Sequence, residues 1–279
     1  MYDAPEDDPE IAAALMEEGL LSPIIDEWRI HYLAKHHEWF DLSRTLNKMA
    51  MRMYLAHWDM PGKKMLDLMP TASRVFSRAI TNFEAAVILC ERGSAIEAAS
   101  LARSVNEASI WLGYMVEKPE DALVDLDADD LHNAVGRLKE LRRVSVDTGD
   151  TPSVDFADVE IGKLTKELNG RKKPIWQDIA QKYGSSHAYM KFRIMSGFYS
   201  HLSTTSLKHH IQMTGDKTAF NILGPHSEQV PNSLYLACDS LADCGSAYAA
   251  IVNDGPLAQE FHDIRPTILN LRDRIQRPN

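Results

Sequence analysis

Two consecutive helical stretches between Phe76 and Tyr114, separated at Gly93, constrain this chain most, because the second sets an arginine and a glutamate inside an apolar stripe. At 100° per residue, Ile96, Ala99, Arg103, Asn106, Glu107, Ile110 and Tyr114 fall within about 60° of one line. The first stretch offers a matching face of Phe76, Ile80, Phe83 and Val87, with Glu84 at its edge. Helices joined by so short a turn form an antiparallel hairpin, and Ser94 with Glu97 has the spacing of a capping box. A charge taken out of water costs several kcal/mol unless it is paired and hydrogen-bonded. Arg103 and Glu107 are therefore expected to form a paired polar centre inside the hairpin. The plainer alternative is a surface i,i+4 pair worth a few tenths of a kcal/mol.

The rest of the chain reads in the same helical period. Residues 1–21 form an acidic lead expected to lack order, residues 22–70 an N-terminal helical extension, and residues 71–279 a helical bundle domain. In the extension, Trp28, Tyr32, Trp39, Leu46, Met49 and Met53 mark one long helix or two joined ones. A helix is expected over Pro119–Val144, acidic first and basic later, as a helix dipole favours. Turn chemistry follows over Ser145–Ser153, then helices to Leu168 and over Ile175–Tyr183. A further helix is expected from Ser185 to Met213, weakened at Gly197, then an irregular link over Thr214–Pro231 with room for a short strand pair. Two final helices are expected near Asn232–Val252 and Pro256–Ile275. There is no βαβ alternation and no repeat, so the fold class is all-α.

Composition removes several functions. No apolar run approaches the roughly 18 residues of a membrane span, and the start is acidic, so neither membrane insertion nor secretion is expected and the cytoplasm is the expected location. Cys90, Cys238 and Cys244 form no CxxC pair, which argues against a disulfide framework and fits a reducing compartment. The net charge of −10 opposes broad attraction to nucleic acid without excluding a local phosphate patch. There is no HExxH, no Walker loop, no GxGxxG and no GxSxG, so neither a metal nor a cofactor is expected. The acidic run Asp125–Asp130 and the basic run Arg171-Lys172-Lys173 read as solvated.

The second chemical constellation is FYSHLSTTSLKHH, Phe198 to His210. On a continuous helix Phe192, Met195, Tyr199, Ser203, Ser206 and His210 share a side, while His201 lies about 200° from Tyr199. Tyr199, Ser203 and His210 are thus expected to converge, and an imidazole there titrates near neutrality.

Two stretches carry a resemblance. AITNFEAAVILCERGSAIEAASLARSVNEASIWLGYM, with its central RSxxE (Arg103, Ser104, Glu107), and the later YxxLS (Tyr199, Leu202, Ser203) resemble an uncharacterised prokaryotic all-helical family of unknown function placed near the HEPN superfamily of nucleotide-binding and ribonuclease bundles. The resemblance covers about Ser73 to His210. It implies a HEPN-like antiparallel bundle and a metal-independent endoribonuclease or nucleotide-handling protein of the toxin or defence type, with RNA or a nucleotide as partner. Where the second motif continues to a histidine four residues after the serine, this chain has Leu207, which leaves His209 or His210 as the general acid or base beside Arg103, Glu107, Tyr199 and Ser203. The superfamily's Arg-x(4 to 6)-His pattern is matched at Arg29 to His36 and Arg52 to His57, as often as chance provides. The alternative from a different class is a catalytically inert helical interaction or dimerisation module, in which the same polar cluster fixes helix register. A homo-oligomer is expected under either reading.

Overall fold

The computed structural model describes residues 9–57, 66–185, 187–213, 219–221 and 224–276. Its helices are α1 (Pro9–Glu18), α2 (Ile25–Lys35), α3 (His37–Ala56), α4 (Leu68–Glu91), α5 (Ala95–Glu117), α6 (Pro119–Thr148), α7 (Thr151–Leu168), α8 (Trp176–Tyr183), α9 (Ala188–Met195), α10 (Val230–Val252), α11 (Gly255–Asp263) and α12 (Arg265–Gln276). Between α9 and α10 lie a π turn (Ser196–Ser200), a 3₁₀ turn (Ser206–His210) and two three-residue strands, β1 (Ile211–Met213) and β2 (Ala219–Asn221). The strands pair antiparallel with Gln212 opposite Phe220. The architecture is all-α.

Helix α5 is the axis of the molecule, packed by α4 and α10 and, on a third side, by α8 and α9. It is buried over most of its circumference: Ile96, Ala99, Asn106, Ile110 and Tyr114 of the stripe drawn on the sequence are buried, and so is a second arc of Ala98, Ala102, Val105 and Ser109 roughly 120° away. Alanine carries little hydropathic signal, so the sequence pattern did not mark this second arc. Small side chains on both partners let α5 and α10 approach closely, and the Cys244 thiol of α10 lies 3.3 Å from the Val105 carbonyl. Phe76 of α4 stacks on Tyr248 of α10 with ring centroids 4.5 Å apart, both buried. Truncating such an aromatic to alanine costs about 3–5 kcal/mol.

Several boundaries differ from the sequence reading. The lead expected to lack order up to residue 21 is helical from Pro9, with Ile11 and Leu15 buried in the same core as α10; residues 1–8 lie outside the described residues. That core runs without a break from the N-terminal extension into the bundle. The expected turn at Ser145–Ser153 narrows to Gly149-Asp150: Gly149 takes the left-handed conformation at φ 75°, and the Asp150 side chain caps α7 at Ser153. Ser94 makes no side-chain cap, so the expected capping box does not form. Helices α6 and α7 form a hairpin with a small core of its own, Leu131, Val135 and Leu168. The runs expected to be solvated hold each other instead, with Arg171 on Asp127 at 2.8 Å and Lys173 near Asp129 at 3.7 Å.

The segment that matters most departs furthest. The helix expected over Ser185–Met213 is regular only as α9, widens into the π turn and ends at Ser200. A widened turn shifts every later side chain off the 3.6-residue register, and such turns recur at functional sites.

Candidate functional site

Arg103 and Glu107 project from the open arc of α5, with Glu97, Ser100 and Ser104, rather than from its buried arc. Their side chains are 27% and 42% exposed and approach to 3.9 Å, so the paired centre expected inside the hairpin is a half-buried pair at its rim. Of the three polar residues in the stripe drawn on the sequence, the core encloses Asn106, whose amide donates to the Ala188 carbonyl at 2.9 Å and fastens α9 to α5. Arg103 lies over the Phe192 ring of α9 at 5.2 Å, an arrangement worth about 0.5–2 kcal/mol. Its Nε is buried without a hydrogen-bond partner among the described residues. Protein crowding around Glu107 pushes its carboxyl up from the ordinary value despite that exposure; Arg103 and then Arg78 of α4 pull it back. Glu84, expected to reach this centre, accepts from Asn47 of α3 at 3.0 Å instead.

Among the described residues Tyr199 and Ser203 make no hydrogen bond or ring contact with that pair. Because the chain leaves the helix at Ser200, Ser203 closes a turn on itself: its hydroxyl donates to the Gly197 carbonyl at 3.1 Å and its amide to Ser206 Oγ at 2.9 Å. Tyr199 stays against α5, where Ser100 Oγ donates to its carbonyl at 3.1 Å. Its hydroxyl accepts from Asn232 Nδ2 of α10 at 2.9 Å, which leaves the phenolic proton for another acceptor. The Tyr199 ring stacks on His209, centroids 5.1 Å apart and 14° from parallel.

Three imidazoles gather there. His209 and His210 come from the 3₁₀ turn, and His226, from the link before α10, meets His210 edge-on at 5.7 Å. The His226 amide donates to the Gly93 carbonyl at 2.9 Å, tying the link to the α4–α5 turn. Gly93 is required at this contact: its φ is 77°, and a Cβ would stand 2.5 Å from Pro225 Cβ. Burial holds both His209 and His226 below the ordinary imidazole range; the positive field of neighbouring rings adds to this, and Glu97 opposes it at His226. His209 Nε2 and His226 Nε2 are buried and have no hydrogen-bond partner among the described residues. Unspent ring nitrogens kept neutral near pH 7 are the chemistry of proton transfer. Among the described residues no three His, Cys, Asp or Glu side chains are grouped to hold a metal ion.

A buried ionic network fixes the frame. Lys191 of α9, 6% exposed, donates to Asp239 at 2.6 Å and Asp243 at 3.0 Å on α10. Asp243, 8% exposed, also accepts from Arg265 of α12 at 2.7 Å and from Ser185 at 2.8 Å. Burial alone would drive Lys191 down and Asp243 up, but their partners outweigh it, so Lys191 is held above and Asp243 below its ordinary value. The sequence reading missed this network and His226. A lone lysine in AYMKFRIM and two aspartates in the apolar run CDSLADCGSAYAA were signals available for the network. His226, in an irregular link, had none.

A family model described as "Family of unknown function (DUF5677)" matches residues 71–218, just over half of the chain. The chain belongs to this family. The match runs from the first turns of α4 to the residues after β1 and takes in Arg103, Glu107, Tyr199, Ser203, His209 and His210, while His226 and α10 lie beyond it. No curated protein and no solved structure matches the chain significantly. No described helix is long and apolar enough to cross a membrane.

Proposed function

We propose that this member of the family is a metal-independent endoribonuclease or nucleotide-handling protein of the toxin or defence type, built on a HEPN-like bundle, with the imidazole cluster beside Tyr199 as its acid–base centre. One observation carries the reading: His209 and His226 are held neutral at the entrance of α5, each with a buried ring nitrogen that has no hydrogen-bond partner among the described residues. One neutral ring accepts the proton of a ribose 2′-hydroxyl, whose oxygen attacks the adjacent phosphorus. The imidazolium so formed, directly or through the adjacent ring, delivers that proton to the departing 5′-oxygen, leaving a cyclic phosphate. Tyr199 orients His209 through the stack. Arg103 and Glu107 lie further along the same open arc of α5, about 9 Å up the axis from Glu97 to Arg103 at 1.5 Å per residue. The test is cleavage of mixed-sequence RNA in excess EDTA: the wild type should cut, while His209→Ala and His226→Ala lose about 10²–10⁴-fold. No cleavage by the folded wild type rejects the reading.

A second reading, an inert interaction module, rests on a separate feature. The α6–α7 hairpin leaves Leu141, Val144, Phe156 and Val159 exposed. If that surface is the function, the wild type self-associates in light scattering and cuts no RNA, and Phe156→Lys makes it monomeric.

A further inference from the structure

Along α4, where Tyr54 of α3 meets it, lies an open cavity of about 440 Å³ lined by Tyr54, Pro70, Ser73, Arg74, Ser77, Arg78 and Thr81. The α4 positions recur at three and four residues, so they form one continuous strip about 16 Å long at 1.5 Å per residue. Among the described residues no carboxylate lines it, in a chain with 40 acidic against 30 basic residues. Its side chains present guanidinium and hydroxyl donors. Ser73 is committed to the Tyr248 hydroxyl at 2.7 Å and Thr81 to the Arg78 carbonyl at 3.1 Å. Ser77 keeps its hydroxyl free among the described residues, and Arg78 forms no ion pair among them. Many other arginines of the chain are already engaged by carboxylates, as Arg29, Arg44, Arg142 and Arg265 are. Arg78 also acts on Glu107 across the hairpin, so the strip leads toward the Arg103 rim of α5.

We infer that this strip binds the phosphodiester backbone of a single RNA strand. The reasoning is one of spacing and donor type. Guanidinium groups suit phosphate oxygens in a forked geometry. Arg74 and Arg78, one helical turn and roughly 6 Å apart, match charges repeated along a chain better than a single phosphate cluster. A groove open along its length does not enclose a mononucleotide, and the Tyr54 ring at its wall offers a stacking face to any base. The choice of RNA rests on the function proposed above; the backbone site itself does not.

The experiment measures fluorescence anisotropy of a labelled 12-nucleotide uridine RNA with the wild type and the Arg74→Gln/Arg78→Gln variant over a salt series. Both residues are exposed, so the fold should survive, checked by circular dichroism. Each phosphate contact removed should reduce the slope of log K against log salt by about 0.7, so the double variant should lose roughly 1.4 in slope. Arg142→Gln on the distant α6–α7 hairpin should bind as the wild type does. Unchanged affinity and slope in the double variant overturn the inference. So does competition by ATP or inorganic phosphate at concentrations where an unlabelled deoxyuridine 12-mer fails, since the site would then select a terminal phosphate. Binding that depends on the two arginines without any cleavage upholds this inference and rejects the nuclease; cleavage unaffected by their loss does the reverse.

Discussion

Replacing Lys191 with alanine strands two carboxylates between α9 and α10. In the wild type the ammonium is 6% exposed and bridges Asp239 and Asp243. The variant leaves Asp243 with Arg265 and Ser185, but Asp239 loses its ion pair. Breaking a buried pair from one side costs about 3–5 kcal/mol, most of it the penalty of an uncompensated charge. In a chain of this size the corresponding fall in Tm is about 6–10 °C, at roughly 2 °C per kcal/mol. The pH dependence gives a second signature. Asp243 has a folded pKa below its unfolded value of 3.8, so its contribution is present above that value and disappears as pH falls through the folded one. Lys191, held above 10.5, contributes fully below that value and loses its contribution as pH rises through the folded one. The gap between wild type and Lys191→Ala should therefore be a plateau across neutral pH and close at both extremes. Urea unfolding followed by circular dichroism at pH 3, 7 and 11.5 measures it. Neutralising the set together, as Lys191→Met with Asp239→Asn and Asp243→Asn, should recover much of the loss. A Lys191→Ala cost under about 1 kcal/mol at pH 7, or one that does not shrink in acid, would refute a tight buried network.

Gly93→Ala should destabilise by about 1–3 kcal/mol, from the positive φ and the contact with Pro225, and should lower activity beyond the stability loss by releasing His226; urea melts and RNA cleavage separate the two. Asn106→Leu leaves the Ala188 carbonyl without its donor and should cost about 1–3 kcal/mol by the same melts. The thiols of Cys90, Cys238 and Cys244 are buried, and burial pushes Cys238 up to about 12, Cys90 higher still and Cys244 well above the ordinary thiol range; none should react with a thiol reagent at pH 8 until the protein unfolds. RNA cleavage should show a bell-shaped pH profile with its maximum on the acid side of neutrality, because burial weakens proton binding at His209 and His226.

The helical order of the chain was legible because Pro and Gly punctuate it: Pro119 opens α6, Asn169 and Gly170 close α7, and the α4–α5 hairpin turns at Gly93 as its sequence implies. The face of α5 was partly legible: Ile96, Ala99, Asn106, Ile110 and Tyr114 are buried as their stripe implies, but Arg103 and Glu107 lie at its open edge, and the second buried arc of Ala98, Ala102 and Val105 is one that hydropathy hardly marks. The candidate site was half legible. Tyr199 and His209 do meet, but through a π turn and a 3₁₀ turn that no helical wheel describes, so the alignment of Ser203 and His210 with Tyr199 on one helix fails. His226 arrives from a link with no periodicity, placed by its amide on the Gly93 carbonyl. Long-range pairing of this kind is a property of packing, and the local pattern does not encode it.

The account stands on the imidazole cluster at the head of α5. Incubating purified protein with RNA in excess EDTA, beside His209→Ala and His226→Ala variants whose melts match the wild type, tests it most directly. The expected result is discrete cutting by the wild type, ending in cyclic phosphate, that both variants lose. Intact RNA with the wild type, or equal cutting by all three proteins, would contradict it.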